Sequence, residues 1–157
     1  MAKKALVTAA VRALRDAGIR YTEHHYKYIE GGGAGAGAEQ LGLDPHRVIK
    51  TLILESADGT PLCLLMHGDQ VASLKALARQ LDTKSVAMAT NATRHSGYEI
   101  GGTSPFGLRK ALPVYCEASI LDYDSIVING GKRGFLIEVS TKDLVALLDP
   151  ELVEVAI

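Results

Sequence analysis

Val48-Ile49-Lys50-Thr51-Leu52-Ile53-Leu54 places one ammonium group inside an otherwise almost wholly apolar run. The β-branched residues around it predict a strand with both faces covered. A buried ammonium loses hydration worth several kcal/mol. Lys50 must therefore pair with an acid, shift its pKa downward, or open onto a cleft where a ligand supplies negative charge. A lysine at a sheet edge whose long stem snorkels to water fits the same pattern.

The chain has 157 residues, enough for one domain over 1–157 with a sizeable core. With 47% hydrophobic and 22% charged residues and a net charge of -1, it is neither a disordered chain nor one that coats nucleic acid through bulk charge. Partners must be recognised locally. Met1-Ala2-Lys3-Lys4 leads into an amphipathic stretch carrying Arg12, Arg15 and Asp16. That start has no signal-peptide core, no membrane span follows, and a cytoplasmic protein is expected.

The remaining patterning mixes helices and strands. Ala5 to Ala17 has helical spacing and stops at Gly18; Ile19 to Ile29 reads as a strand; Gly31 to Ala38 reads as a flexible glycine-alanine loop, followed by a short helix around Glu39 to Leu41. Val48 to Glu55 and Pro61 to Met66 flank Asp58-Gly59, the signature of an antiparallel hairpin. A helix over Ser73 to Leu81, a short strand over Lys84 to Met88 and a helical turn over Asn91 to Ser96 follow. Leu112 to Glu117, Ser125 to Asn129 and Phe135 to Val139 are expected strands, with Ser140 capping a helix to Leu148 and a last strand over Leu152 to Val155.

Several chemistries can be weighed and set aside. Gly31, Gly33 and Ala36, with Glu55 downstream, satisfy a relaxed dinucleotide fingerprint. Gly42 and Pro45 leave too little helix for a parallel crossover, and the next strand opens a hairpin. Cys63 and Cys116 lack paired spacing and are expected to be reduced core residues. His24 and His25 point to opposite faces of a strand, while His46, His67 and His95 are scattered, so no metal is expected.

Two loops carry more: Gly101-Gly102-Thr103-Ser104-Pro105-Phe106-Gly107 and Asn129-Gly130-Gly131-Lys132-Arg133-Gly134. Glycines let a ligand approach main-chain N–H groups, which can line an anion or oxyanion nest. Lys132 and Arg133 add positive charge. Two tight turns with solvated basic tips would have the same composition.

At these residues the chain resembles the YbaK family of prolyl-tRNA editing-like proteins. The likeness rests on LGLDP before the lysine strand, VIKTL, SGYEIGGTSPFG, Leu112-Pro113 and NGGKRGFLIEV followed by the helix Lys142 to Leu148. The resemblance implies an α/β (α+β) single domain with a mixed, largely antiparallel, barrel-like sheet and flanking helices. It implies an aminoacyl-tRNA deacylase that clears mischarged Cys-tRNA(Pro) in trans without metal or cofactor. The substrate's own thiol would attack the ester, while the protein positions the 3' end.

In that reading Lys50 anchors the 3'-terminal nucleotide and Gly101 offers an N–H to the developing oxyanion. Tyr26, Thr51, Gly102 and Asn129 border the substrate, and Tyr26 or Tyr98 stacks on the terminal adenine. Lys50 and Thr51 point oppositely in a regular strand, so a bulge or twist is expected there. Arg109, Lys110, Lys132 and Arg133 would meet acceptor-end phosphates. Transient association with prolyl-tRNA synthetase would supply tRNA selectivity.

Asn129 stands where relatives commonly carry serine, and Leu136 where they commonly carry aspartate. Alternatives are an Ala-tRNA(Pro) deacylase using water, a non-catalytic nucleotide or aminoacyl-tRNA binding module, and, from the apolar setting alone, Lys50 as a Schiff-base nucleophile.

Overall fold

The computed structural model describes residues 6–157. Met1-Ala2-Lys3-Lys4, and Ala5 at the start of the first expected helix, lie outside the described residues. Helix α1 (Ala9–Asp16) begins where Thr8 Oγ1 accepts the Val11 N–H at 3.1 Å and turns Ala10, Val11 and Leu14 into the core. Ser73 and Ser140 cap α3 (Leu74–Gln80) and α5 (Thr141–Leu148) in the same way.

Among the described residues eight strands form one mixed sheet in the order β1-β7-β6-β2-β3-β5-β8, with β4 paired to β2. The predicted hairpin joins β2 (Val48–Ser56) to β3 (Pro61–His67), in register from Ile49↔His67 to Glu55↔Pro61. Gly59 takes the left-handed conformation the turn requires. Antiparallel pairs also join β1 (Thr22–His25) to β7 (Phe135–Ser140), β6 (Ser125–Lys132) to β7, and β4 (Val86–Met88) to β2. Parallel pairs join β2 to β6, β3 to β5 (Val114–Glu117), and β5 to β8 (Glu151–Val153). Ile49, Ile53, Ile126, Ile128 and Ile137 pack with α1 and α5 on one face, while Val48, Val127 and Leu136 meet Ala38 on the other. No described helix is long and apolar enough to cross a membrane.

Two expectations are corrected. The strand after α1 is only Thr22–His25: Tyr26 N–H makes one last bond to Gly134 O, and the chain then leaves the sheet. The glycine-alanine tract is not a loop but most of helix α2 (Gly33–Leu41). Ala34, Ala38 and Leu41 lie on one helical stripe against Val48, Val127 and Leu136, so tertiary packing overrides a propensity that disfavours glycine. Gly37 permits the approach, since a Cβ there would stand 3.1 Å from Leu136 Cδ1 and 3.2 Å from Tyr26 Cε1. The dinucleotide reading fails as expected, because β1 and β2 are not neighbours.

Candidate active site

Strand β2 is unusual in how its two edges are used. Val48 O accepts the Gly68 N–H beside β3, whereas Arg47 O accepts from Val127 of β6 and Ile53 O from Ala89 beyond β4. Main-chain polar groups alternate sides along a strand, so those of Thr51 face away from β3. On that side β6 pairs only with Val48 and Ile49, and β4 only from Leu54 onward. Between them the edge of β2 splits open, and the gap is the mouth of a cleft of about 380 Å³.

This split explains how Lys50 and Thr51 both reach one cavity. The pairing with β3 runs unbroken through both residues, so the expected bulge is absent. The cleft opens at an unpaired edge, where side chains from both faces are accessible. The Thr51 hydroxyl oxygen is buried and has no hydrogen-bond partner among the described residues. Such an orphan is costly unless a ligand satisfies it.

Lys50 is half-buried, and burial pushes its pKa below the ordinary lysine value while the negative charge of Asp69 partly restores it. Among the described residues it is the only Lys, Arg, His, Asp or Glu lining the cleft, whose walls include Ile53, Met88, Ile100 and Leu136. Gly101 also borders the cavity with φ +87°, and a Cβ there would lie 2.8 Å from the Tyr28 hydroxyl. Among the described residues its N–H makes no intramolecular hydrogen bond. Gly102 does not line the cleft; it donates its N–H to Glu99 O and packs against the main chain of Lys132 and Arg133.

Asn129 lies at the cleft wall, but its amide is engaged within the protein. Its Oδ1 accepts from the N–H groups of Gly131 and Lys132 at 2.7 and 3.2 Å, and its Nδ2 donates to Gly101 O at 3.3 Å and Lys132 O at 3.2 Å. The register between β6 and β7 shifts here, and Asn129 caps the resulting bulge while tying it to the Gly101 turn.

A family model described as "Aminoacyl-tRNA editing domain" matches residues 32–147. The chain belongs to the aminoacyl-tRNA editing domain family. It is 31% identical over 151 residues, 94% of this chain and 92% of its relative, to an Enterococcus faecalis protein named "Putative Cys-tRNA(Pro)/Cys-tRNA(Cys) deacylase EbsC". A crystal structure described as "a putative trans-editing enzyme for prolyl tRNA synthetase" matches with TM-score 0.82 and 22% identity, over 98% of this chain and 99% of that one. A crystal structure of a hypothetical protein matches with TM-score 0.86 and 20% identity, over 96% and 100%. At those identities the two structures establish the shared fold.

The other expected site residues of this editing domain divide. Tyr26 borders the cleft, its ring against Gly37, and burial raises its pKa. Tyr98 cannot stack on a nucleobase: it is 7% exposed, its hydroxyl donates to Phe106 O at 2.6 Å, and burial pushes its pKa up to about 12. Arg109 and Lys110 sit beside α4 (Ala92–Ser96), Lys110 Nζ lying 3.2 Å from His95 Nδ1. Arg133 is anchored instead of free: its Nε donates to Ile100 O at 2.8 Å, and its guanidinium covers the Tyr28 ring at 4.9 Å. Lys132 is exposed on the same turn. Tyr28, which also borders the cleft, was missed by the sequence reading. Its spacing of two from Tyr26 was the available signal. Cys63 and Cys116 are buried free thiols, both raised to about 12 by burial, as a core role requires.

Proposed function

We propose that this editing domain releases the amino acid from mischarged tRNA in trans, with Cys-tRNA(Pro) as its substrate and prolyl-tRNA synthetase as a transient partner. The observation that carries the reading is the composition of the cleft: among the described residues one cation, Lys50, stands in mostly apolar walls beside the Gly101 N–H, which makes no intramolecular hydrogen bond there. Among the described residues no carboxylate or imidazole lines it to serve as general base. A site so furnished suits a reaction whose nucleophile arrives with the substrate. The cysteinyl thiol loses its proton and attacks its own ester carbonyl; the carbon–oxygen bond to the ribose breaks and that oxygen is protonated. The thiolactone formed opens in water.

The protein's part is positional and electrostatic. Lys50 draws the polar 3'-terminal nucleotide into the mouth, Gly101 N–H stabilises the oxyanion, and Thr51 borders the bound substrate. The relative from Enterococcus faecalis, whose printed name specifies Cys-tRNA(Pro) and Cys-tRNA(Cys), supports the cysteine branch.

Single-turnover release from Cys-, Ala- and Pro-tRNA(Pro), with Lys50→Ala alongside, tests the reading. Cysteine-selective release that needs Lys50 is expected. Alanine-selective release would assign water as nucleophile, and binding without release from any ester would leave a non-catalytic module.

A further inference from the structure

We infer that Tyr28, backed by Arg133, is a seat for the unpaired terminal nucleobase of the substrate's acceptor end. The inference deepens the proposed function and rests on its acceptor-end reading. In an aminoacyl ester a single oxygen separates the reacting carbonyl from the ribose that carries the base. If Gly101 holds the carbonyl, the base must lie beside Gly101, at the cleft mouth.

Tyr28 occupies that place. Its hydroxyl edge abuts Gly101, where an added Cβ would meet it at 2.8 Å, and its ring borders the cleft. The guanidinium of Arg133 stands over one face of the ring, 4.9 Å from its centroid, while Tyr28 also borders the cavity. Arg133 is in turn held by Ile100 O at 2.8 Å and by Glu99 at 3.7 Å, which gives the ring a fixed support. Two large apolar side chains at the cleft, Ile100 and Met88, are 72% and 57% exposed. A planar aromatic on a fixed cation, flanked by exposed aliphatic surface, suits the π-face of a base better than a phosphate. Tyr98 is excluded by burial, and Tyr26, which also lines the cleft, has no cation over its ring and lies against Gly37 rather than Gly101 among the described residues.

The test uses the whole protein and an uncharged minihelix ending in CCA, with 2-aminopurine in place of the terminal adenine. A second probe carries 2-aminopurine at an internal paired position. Binding should quench the terminal probe and leave the internal one unchanged. Tyr28→Leu, which fills similar space without a π-face, should abolish the quench and weaken binding by roughly 5- to 150-fold, the range of base–aromatic stacking. Tyr28→Phe should restore both. Equal quenching by wild type and Tyr28→Leu would overturn the proposal, as would slower release by Tyr28→Leu at unchanged affinity, which would make Tyr28 a support for the Gly101 turn alone. If no ester releases its amino acid yet the quench follows Tyr28, the catalytic reading fails and the nucleobase seat stands.

Discussion

Replacing Gly101 with alanine perturbs the site in two ways that can be measured apart. The first is conformational: φ is +87°, and an L-residue in the left-handed region costs roughly 1–2 kcal/mol. The second is steric, because the new Cβ would lie 2.8 Å from the Tyr28 hydroxyl and 2.9 Å from its Cε2, too close without movement. Tyr28 is only partly buried, so its ring can give more easily than a backbone wall would. A total near 2 kcal/mol corresponds, for a chain of this size, to a Tm lowered by about 4–8 °C. The rate should suffer more. If the Gly101 N–H serves the oxyanion, displacing it costs roughly 10²–10³ in kcat. Single-turnover release at saturating protein, with thermal denaturation alongside, separates the two effects. A rate within about threefold of wild type, together with the calculated loss in Tm, would refute the oxyanion role while leaving the strained turn intact. An unchanged Tm would refute the strain argument itself.

Other substitutions probe the rest of the site. Lys50→Met should abolish release yet raise Tm at neutral pH, because burial holds the folded-state pKa below the unfolded one and the charged form is disfavoured in the fold. The unfolded chain binds the extra proton between the two pKa values, so wild-type stability rises with pH through that window. The variant's advantage should shrink as the pH rises toward the ordinary lysine pKa of 10.5, as melting curves at neutral and alkaline pH would reveal. Asn129→Ala strips the Gly131 and Lys132 N–H groups of their acceptor and frees Gly101 O. At about 0.5–1.5 kcal/mol per bond, it should lower Tm measurably and slow release, with Asn129→Ser recovering only part because a serine has no second arm for Gly101. Cys63 and Cys116, both raised to about 12 by burial, should resist iodoacetamide at mildly alkaline pH until the protein unfolds, as mass spectrometry would show.

What the sequence made legible was mostly local. The Asp58-Gly59 hairpin, the Ser140 cap and the apolar strands β6 and β7 follow from patterns spanning a dozen residues or fewer. Lys50 was conspicuous because one charge in an apolar run violates the pattern around it. The split in β2 could not be read in this way: it arises where β6, half a chain away, pairs with only two residues of β2, and where β4 joins several residues later. For the same reason the sequence offered a bulge or twist to bring Lys50 and Thr51 together, although an open edge suffices. Of the two tyrosines offered, Tyr98 fails on burial, which residue type alone does not reveal: it is enclosed and bonded to Phe106 O, whereas Tyr26 and the overlooked Tyr28 both border the cleft.

Helix α2 was misread because three glycines weigh against a helix, and that same composition gives it a paired test. Gly35 is exposed, helical and open, with no heavy atom within 4 Å of an added Cβ. Gly35→Ala should therefore stabilise by about 0.4–1 kcal/mol through the unfolded state, or about 1–4 °C in Tm. Gly37→Ala brings the same gain in propensity but puts its methyl 3.1 Å from Leu136 Cδ1 and 3.2 Å from Tyr26 Cε1. Both neighbours line the cleft, so relief must come from pushing them into it. The second variant should gain less stability than the first, or lose some, and should change the substrate concentration dependence of release. Equal gains from both, with unchanged kinetics, would mean that α2 does not press on the cleft wall and that its alanine stripe is not what holds the glycine tract in a helix.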